Sequence, residues 1–139
     1  MSKTIKIKKG YDLKVVGKAA TEVASFQHPQ TYALKPTDFA DLTPKLLLRE
    51  GSKVKAGDAV FIDKDHEEIK FCSPVSGEIV EVVRGEKRKI LEIKILADKE
   101  IDYVDFGSAN PSSLSREEVV AKMVNSGAWT LMIERPFGV

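Results

Sequence analysis

The sequence predicts a mainly β fold, a small barrel or sandwich, with one or two helices. Short apolar segments recur at intervals of roughly 8–12 residues between turn signals, from about Lys45 to Ala97. A capping pattern followed by an apolar stripe at helical spacing predicts one helix near the C-terminus. The length of 139 residues suits a single domain, and 42% hydrophobic with 31% charged residues is typical of a globular protein.

Composition excludes several classes of protein. The 22 basic residues nearly balance the 21 acidic ones, which argues against nucleic-acid binding. The longest aliphatic run is Leu46–Leu48, far below the ~18 apolar residues of a membrane span. The single cysteine, Cys72, cannot form an internal disulfide, which favours a reduced, cytoplasmic protein.

The N-terminal part has one clear strand pattern. Apolar and charged residues alternate across Ile5–Ile7, which predicts a half-buried strand. A second extended run is expected from Leu13 to Gly17, and a loop over residues 18–31. Prolines bracket residues 36–44, so a helix there can last only a turn or two.

The middle of the chain carries the predicted strands. Turns at Gly51, Gly57 and Gly77 separate them, and we expect these glycines to hold conformations that a side chain would block. Their replacement is expected to cost roughly 1–3 kcal/mol where φ is positive. The predicted strands are 45–49, 59–63, 69–72, 78–83 and 91–95.

The C-terminal part predicts a helix from about Arg116 to Asn125. Ser115 and Glu118 have the spacing of a capping box, and Gly127 is placed to end the helix. An apolar segment from Trp129 follows, which we interpret as the entry to a further domain.

Few residues suggest chemistry. With His28, His66 and one cysteine, no metal-ligand spacing exists, and no phosphate-binding loop or nucleophile elbow occurs. We predict no catalytic residue and no metal, and a buried, inert Cys72. The cations Arg84 and 87–89 suit a phosphate, but Glu86 among them favours a solvated hairpin turn.

Three residues near the C-terminus are candidates for ligand binding. Trp129 and Phe137 offer aromatic surfaces, and Arg135 offers hydrogen-bond donors. Packing against a following domain explains the same residues, and the sequence alone favours that explanation.

The run from Glu50 to Gly77 resembles the biotinyl/lipoyl-carrier module, a barrel-sandwich hybrid with flanking α/β elements here. In that module a lysine at the hairpin tip follows the Asp of the Gly-Asp turn by nine residues. Counting from Asp58 places Glu67 there, and Asp63-Lys64 arrives three residues early. The resemblance therefore implies the fold without a covalent biotin or lipoyl group.

A second resemblance covers the whole chain. Four segments are similar to the alpha subunit of the sodium-translocating NADH:quinone reductases (Na⁺-NQR): Ile5–Leu13, Val54–Lys64, Phe71–Arg88 and Ser126–Phe137. The barrel region also resembles the iron–sulfur subunit of the related Rnf complex, whose clustered cysteines this chain lacks. Lys14 stands where the alpha subunit usually has proline, and family members are several-fold longer. The sequence is thus interpreted as an N-terminal fragment, inactive alone.

The resemblance implies a peripheral subunit on the cytoplasmic side of the bacterial inner membrane, seated on other subunits. Those subunits would hold NADH, FAD, FMN and iron–sulfur centres, while the alpha subunit is associated with ubiquinone. Quinone contact by Trp129, Arg135 and Phe137 is the corresponding site hypothesis. The expected organisation is an N-terminal strand and loop segment (1–44), the barrel (45–97), and a linker, helix and start of a following domain (98–139).

Two other functions stay open. One is a carrier domain for biotin or lipoate, against which Glu67 argues. The other is a free-standing barrel that binds a ligand or partner without any redox role.

Overall fold

The computed structural model describes residue 10, residues 14–25 and residues 27–133. Within these residues the chain forms short strands, one α-helix and several single 3₁₀ turns, so the predicted mainly β fold is confirmed. The elements are β1 (Thr31–Leu34), β2 (Pro44–Leu46), β3 (Lys53–Val54), β4 (Ala59–Asp63), β5 (Lys70–Cys72), β6 (Gly77–Arg84), β7 (Ile90–Ala97) and α1 (Arg116–Asn125).

The strands form two antiparallel sheets that share one core. The larger sheet has the order β1-β7-β6-β3, and the smaller has the order β2-β4-β5. Phe61 of β4 and Ile79 of β6 are both fully buried, as are Ile93 and Ile95 of β7. Because these side chains belong to one cluster, the facing sheets bury a common apolar layer.

The β6–β7 hairpin is the longest element of the barrel. Its register runs from Gly77 opposite Ala97 to Arg84 opposite Ile90, with two irregularities on the way. In β7, buried Ile93 and Ile95 alternate with more exposed residues, as a half-buried strand requires. The hairpin thus provides one wall of the core and a turn at residues 85–89.

Several sequence-based expectations need correction. The extended run predicted up to Gly17 is wrong in its described part, since residues 14–17 form no strand and Val15 and Val16 are fully or largely exposed. The strand expected over 45–49 ends at Leu46. Strand β1 lies at the end of the predicted 18–31 loop and pairs with β7. The Ile5–Ile7 strand falls outside the described residues.

The C-terminal helix has the predicted bounds. The Ser115 side chain accepts a hydrogen bond from the Glu118 N–H, and the Glu118 side chain accepts one from the Ser115 N–H, which completes the capping box. Gly127 follows the helix with φ 75°, a left-handed conformation that ends it. No helix in the described part of the chain is long and apolar enough to cross a membrane.

The segment between barrel and helix is tied to the barrel. The Ala56 N–H donates to the Asp102 carbonyl at 2.9 Å, and the Asp102 N–H donates to the Ser76 hydroxyl at 2.9 Å. Lys55 and Asp102 also form an ion pair at 2.9 Å. These bonds fix the start of the path from β7 to α1.

Candidate functional site

A cleft of about 600 Å³ is the principal concave site that the described residues form. Three separate segments build it: residues 38–42, the β4–β5 hairpin and residues 129–133. The volume falls within the range of small-molecule sites. The lining residues are Asp38, Phe39, Ala40, Asp41, Leu42, Asp63, Asp65, His66, Ile69, Phe71, Trp129, Thr130, Met132 and Ile133.

The floor of the cleft is aromatic. The ring of Phe71 stacks on Phe61, with centroids 4.6 Å apart and planes at 11°. The ring of Phe39 meets Phe71 edge-on at 4.7 Å and 70°. Both geometries are favourable for aromatic pairs, and Phe61 is completely buried. The floor is therefore held rigidly by the barrel core.

The rim of the cleft is acidic. Asp38, Asp41, Asp63 and Asp65 line it, together with His66. The Asp63 carboxylate accepts a hydrogen bond from the Asp65 N–H at 3.2 Å, and Asp41 has a positive φ of 53°. Because like charges repel, such a rim disfavours anionic ligands and admits neutral or cationic ones.

The tip of the β4–β5 hairpin is tied down where a carrier module would present its lysine. Glu67 occupies that position and forms an ion pair with Lys45, Nζ to Oε1 2.5 Å. The Lys64 N–H donates to the Thr43 carbonyl at 2.9 Å. A carboxylate cannot form the amide that links biotin or lipoate, so the tip serves as a wall of the cleft.

Of the three residues predicted to contact quinone, Trp129 is the one that the structure describes. It lies half-buried in the 3₁₀ turn Ala128–Leu131 and lines the cleft. The Thr130 hydroxyl donates to the Gly127 carbonyl at 2.8 Å and supports this turn. Arg135 and Phe137 fall outside the described residues.

The three predicted turn glycines have unusual backbone angles. Gly51 has φ 82° in open space. Gly57 has φ 102°, and a Cβ there would lie 2.9 Å from the Phe106 ring. A Cβ at Gly77 would overlap the carbonyl oxygen of Leu96 on the paired strand. The cost of replacing each glycine stays a prediction.

Cys72 lies half-buried in the edge strand β5. Burial raises the pKa of its thiol, which lowers the fraction of reactive thiolate at neutral pH. Among the described residues, no cluster of three or more His, Cys, Asp or Glu side chains could hold a metal ion. The described chemistry is therefore that of binding, by an apolar floor and a polar rim.

Sequence reasoning missed the wall formed by residues 38–42. The sequence marks Asp38 and Asp41 only as members of a proline-bracketed stretch, and it gives Phe39 no distinction. The prolines at 36 and 44 were the available signal, because they limit regular structure and favour an exposed, ordered loop. Nothing local in the sequence indicates that this loop faces the hairpin tip.

Comparison with known proteins identifies the barrel. A family model described as the NqrA N-terminal barrel-sandwich hybrid domain matches residues 5–98. The NqrA (alpha) subunit of the Na(+)-translocating NADH-quinone reductase of Marinomonas sp. (strain MWYL1) is 36% identical over 134 residues, covering 95% of this chain and 30% of the relative. The NqrA subunit of Alcanivorax borkumensis is 34% identical over 137 residues, covering 96% of this chain and 31% of that relative.

A third relative, the NqrA subunit of Photorhabdus laumondii, is 34% identical over 135 residues and shows the same coverage, 96% of this chain and 30% of its own length. The chain thus spans about a third of the length of the curated relatives that it matches. Since the family model covers most of the chain, and the strands it spans form two packed antiparallel sheets, this chain belongs to the NqrA N-terminal barrel-sandwich hybrid domain family.

Proposed function

We propose that this chain acts as the N-terminal module of the NqrA subunit in a sodium-translocating NADH-quinone reductase. The observation that carries this is similarity over 95–96% of the chain to three proteins of that name. The module would sit peripherally on the cytoplasmic side of the bacterial inner membrane, in contact with other subunits. Its own part is structural: it presents a fixed cleft and does not carry out the redox chemistry.

The described residues do not fit the larger cofactors of such a complex. The phosphates of NADH, FAD and FMN would face the four rim carboxylates of the cleft. The described residues also contain no group of three metal-ligating side chains for an iron–sulfur centre. We therefore assign NADH, FAD, FMN and the iron–sulfur centres to other subunits.

A chimera tests this function. The matching N-terminal segment of the Marinomonas NqrA subunit is replaced by this chain, and the assembled complex is assayed for NADH-driven sodium transport. We expect assembly and transport close to those of the parent complex. The control replaces the same segment with a biotin-carrier barrel of similar length. A chimera that fails to assemble, although it folds, would favour a free-standing ligand-binding barrel.

We further propose that a quinone ring binds in the cleft. The support is chemical: the ring is flat, neutral and largely apolar, and the cleft has an aromatic floor with a rim that excludes anions. Trp129 would lie against the ring, and Phe137 and Arg135 would add a second aromatic face and a donor to a quinone carbonyl. Within the described cleft, the Trp129 indole N–H and His66 are further donors.

Trp129 is the single tryptophan of the chain, so its fluorescence reports on the cleft directly. We expect a short-chain ubiquinone to quench it with a saturable dependence on concentration. Arg135→Ala and Phe137→Ala should weaken the quenching, while Tyr103→Ala, an exposed aromatic outside the cleft, should not. The same variants in the full-length protein show whether the site survives there. Unchanged quenching in both cleft variants would refute the assignment of Arg135 and Phe137.

A further inference from the structure

The turn between β6 and β7 carries an unusual density of cations. Arg84, Lys87, Arg88 and Lys89 surround a single carboxylate, Glu86, so residues 84–89 carry a net charge of +3 (four cations less one anion). All five of these charged side chains are exposed. We call residues 84–89 the basic turn.

The backbone of the basic turn is strained at two of its cations. Lys87 and Arg88 have positive φ values of 51° and 63°. The Lys89 N–H donates to the Glu86 carbonyl at 3.1 Å, so these two residues are the central pair of a tight turn. Two central residues with positive φ define the hairpin turn that normally selects Asn-Gly. The sequence instead places two long cations at a position where they are conformationally costly.

The charge of the basic turn is not neutralised by its surroundings. Among the described residues, none of its four cations lies within ion-pair distance of a carboxylate. Glu81 on β6 pairs with Lys94 at 2.8 Å, and Glu92 on β7 pairs with Lys35 at 3.5 Å. The carboxylates on the adjoining strands are thus engaged by other lysines. The turn presents concentrated positive charge to solvent at a cost in backbone strain, which is characteristic of functional positions.

We propose that the basic turn binds the phosphate groups of an anionic phospholipid surface. The four cations are exposed, and residues 84–89 include no large apolar side chain that would dock in a protein groove. Of the four, Arg84 is held by donating from Nη1 to the Arg88 carbonyl at 3.2 Å. Exposed cations on long side chains suit a fluid layer of headgroups better than a fixed pattern of carboxylates on a protein. The choice of a membrane as the source of phosphate rests on the proposed function of this chain.

Vesicle flotation of the full chain tests the proposal. The probes are phosphatidylcholine vesicles and vesicles with roughly one-third phosphatidylglycerol, each at about 0.05 M and about 0.3 M salt. The test variant Lys87→Asn/Arg88→Gly removes two cations and supplies the preferred turn residues. The control Lys53→Gln/Lys99→Gln removes two exposed cations elsewhere.

We expect binding to the anionic vesicles alone, weakened by salt. The test variant should bind about 30-fold more weakly, since each cation near an anionic surface contributes roughly a factor of five. The same variant should melt at a higher temperature, so weaker binding cannot be attributed to unfolding. Control binding close to that of the parent chain would support the assignment.

Three results would overturn the proposal. They are equal binding to both kinds of vesicle, an equal loss in the control variant, and displacement from anionic vesicles by inorganic phosphate at constant ionic strength. The last would indicate a site for free phosphate. Failure here with a working chimera would remove the lipid contact and leave the proposed role in the reductase intact.

Discussion

The backbone of Gly127 lies directly against the side chain of Cys72. A Cβ at Gly127 would stand 2.8 Å from the Cys72 Sγ, closer than two such atoms can approach. Next to this contact, the Lys70 Nζ donates to the Asn125 Oδ1 at 2.8 Å. The end of α1 is therefore docked on the edge strand β5. This docking directs the following residues, Trp129 included, onto the cleft.

Gly127→Ala should destabilise the fold by about 1–2 kcal/mol from its left-handed backbone, with a further cost from the contact with Cys72. Urea unfolding measures the free energy. In a double-mutant cycle with Cys72→Ala, the steric part should disappear while the backbone part persists. A Gly127→Ala variant as stable as the parent would show that the helix end is not packed on β5.

Alanine at the three turn glycines should give a graded series of stability losses. Gly51→Ala meets open space and should cost about 1–2 kcal/mol from φ alone. Gly57→Ala should cost more, although the half-exposed Phe106 ring can move aside. Gly77→Ala should cost the most, because its Cβ meets backbone of the paired β7 strand. Equal melting temperatures for all three variants and the parent would refute the turn interpretation.

The capping box should make the helix sensitive to acid. Hydrogen bonds from the Ser115 N–H hold the pKa of Glu118 below its ordinary value. Its stabilising contribution is therefore complete above the ordinary pKa and is lost as pH falls through the lowered one. Between about pH 6 and about pH 3, Glu118→Gln should lose less stability than the parent chain.

Glu117→Gln is the matched control, since it removes a carboxylate from the same turn outside the capping box. Asp102, whose pKa Lys55 lowers through a hydrogen bond, should contribute to the remaining acid sensitivity. An acid profile for Glu118→Gln that coincides with the parent profile would exclude a titrating capping box.

No covalent prosthetic group should be attached to the hairpin tip. Glu67 occupies the attachment position, and the Lys45 ion pair holds it. After co-expression with biotin and lipoyl ligases, intact mass spectrometry should give the mass of the unmodified chain. Glu67→Lys, a variant that restores the amine, shows whether position alone suffices for recognition. Added mass on the parent chain would revive the carrier hypothesis.

Local signals in the sequence predicted local elements well. The bounds of α1 follow from Ser115, Glu118 and Gly127, which lie within or beside the helix itself. Strand β4 has its predicted bounds because a Gly-Asp turn precedes it and a charged tip follows. Such signals act over a few residues, so a single sequence suffices to find them.

Elements that depend on distant pairing were not predictable in this way. β1 is short and polar at its start, and it becomes a strand because it pairs with β7, which lies far along the chain. Val15 and Val16 resemble a strand locally but have no partner within the described residues. The cleft combines residues 38–42, 63–71 and 129–133, so the sequence identified Trp129 without the aspartates opposite it.

The tethered β4–β5 tip changes what this barrel can do with the geometry it shares with carrier modules. A carrier delivers its cargo by sweeping a long arm through space, so its timing depends on a diffusive search. Here the Lys45–Glu67 pair and the Lys64–Thr43 bond hold the tip to the neighbouring loop. Whatever occupies the cleft is consequently kept at one constant separation from the barrel, as a fixed gauge would keep it.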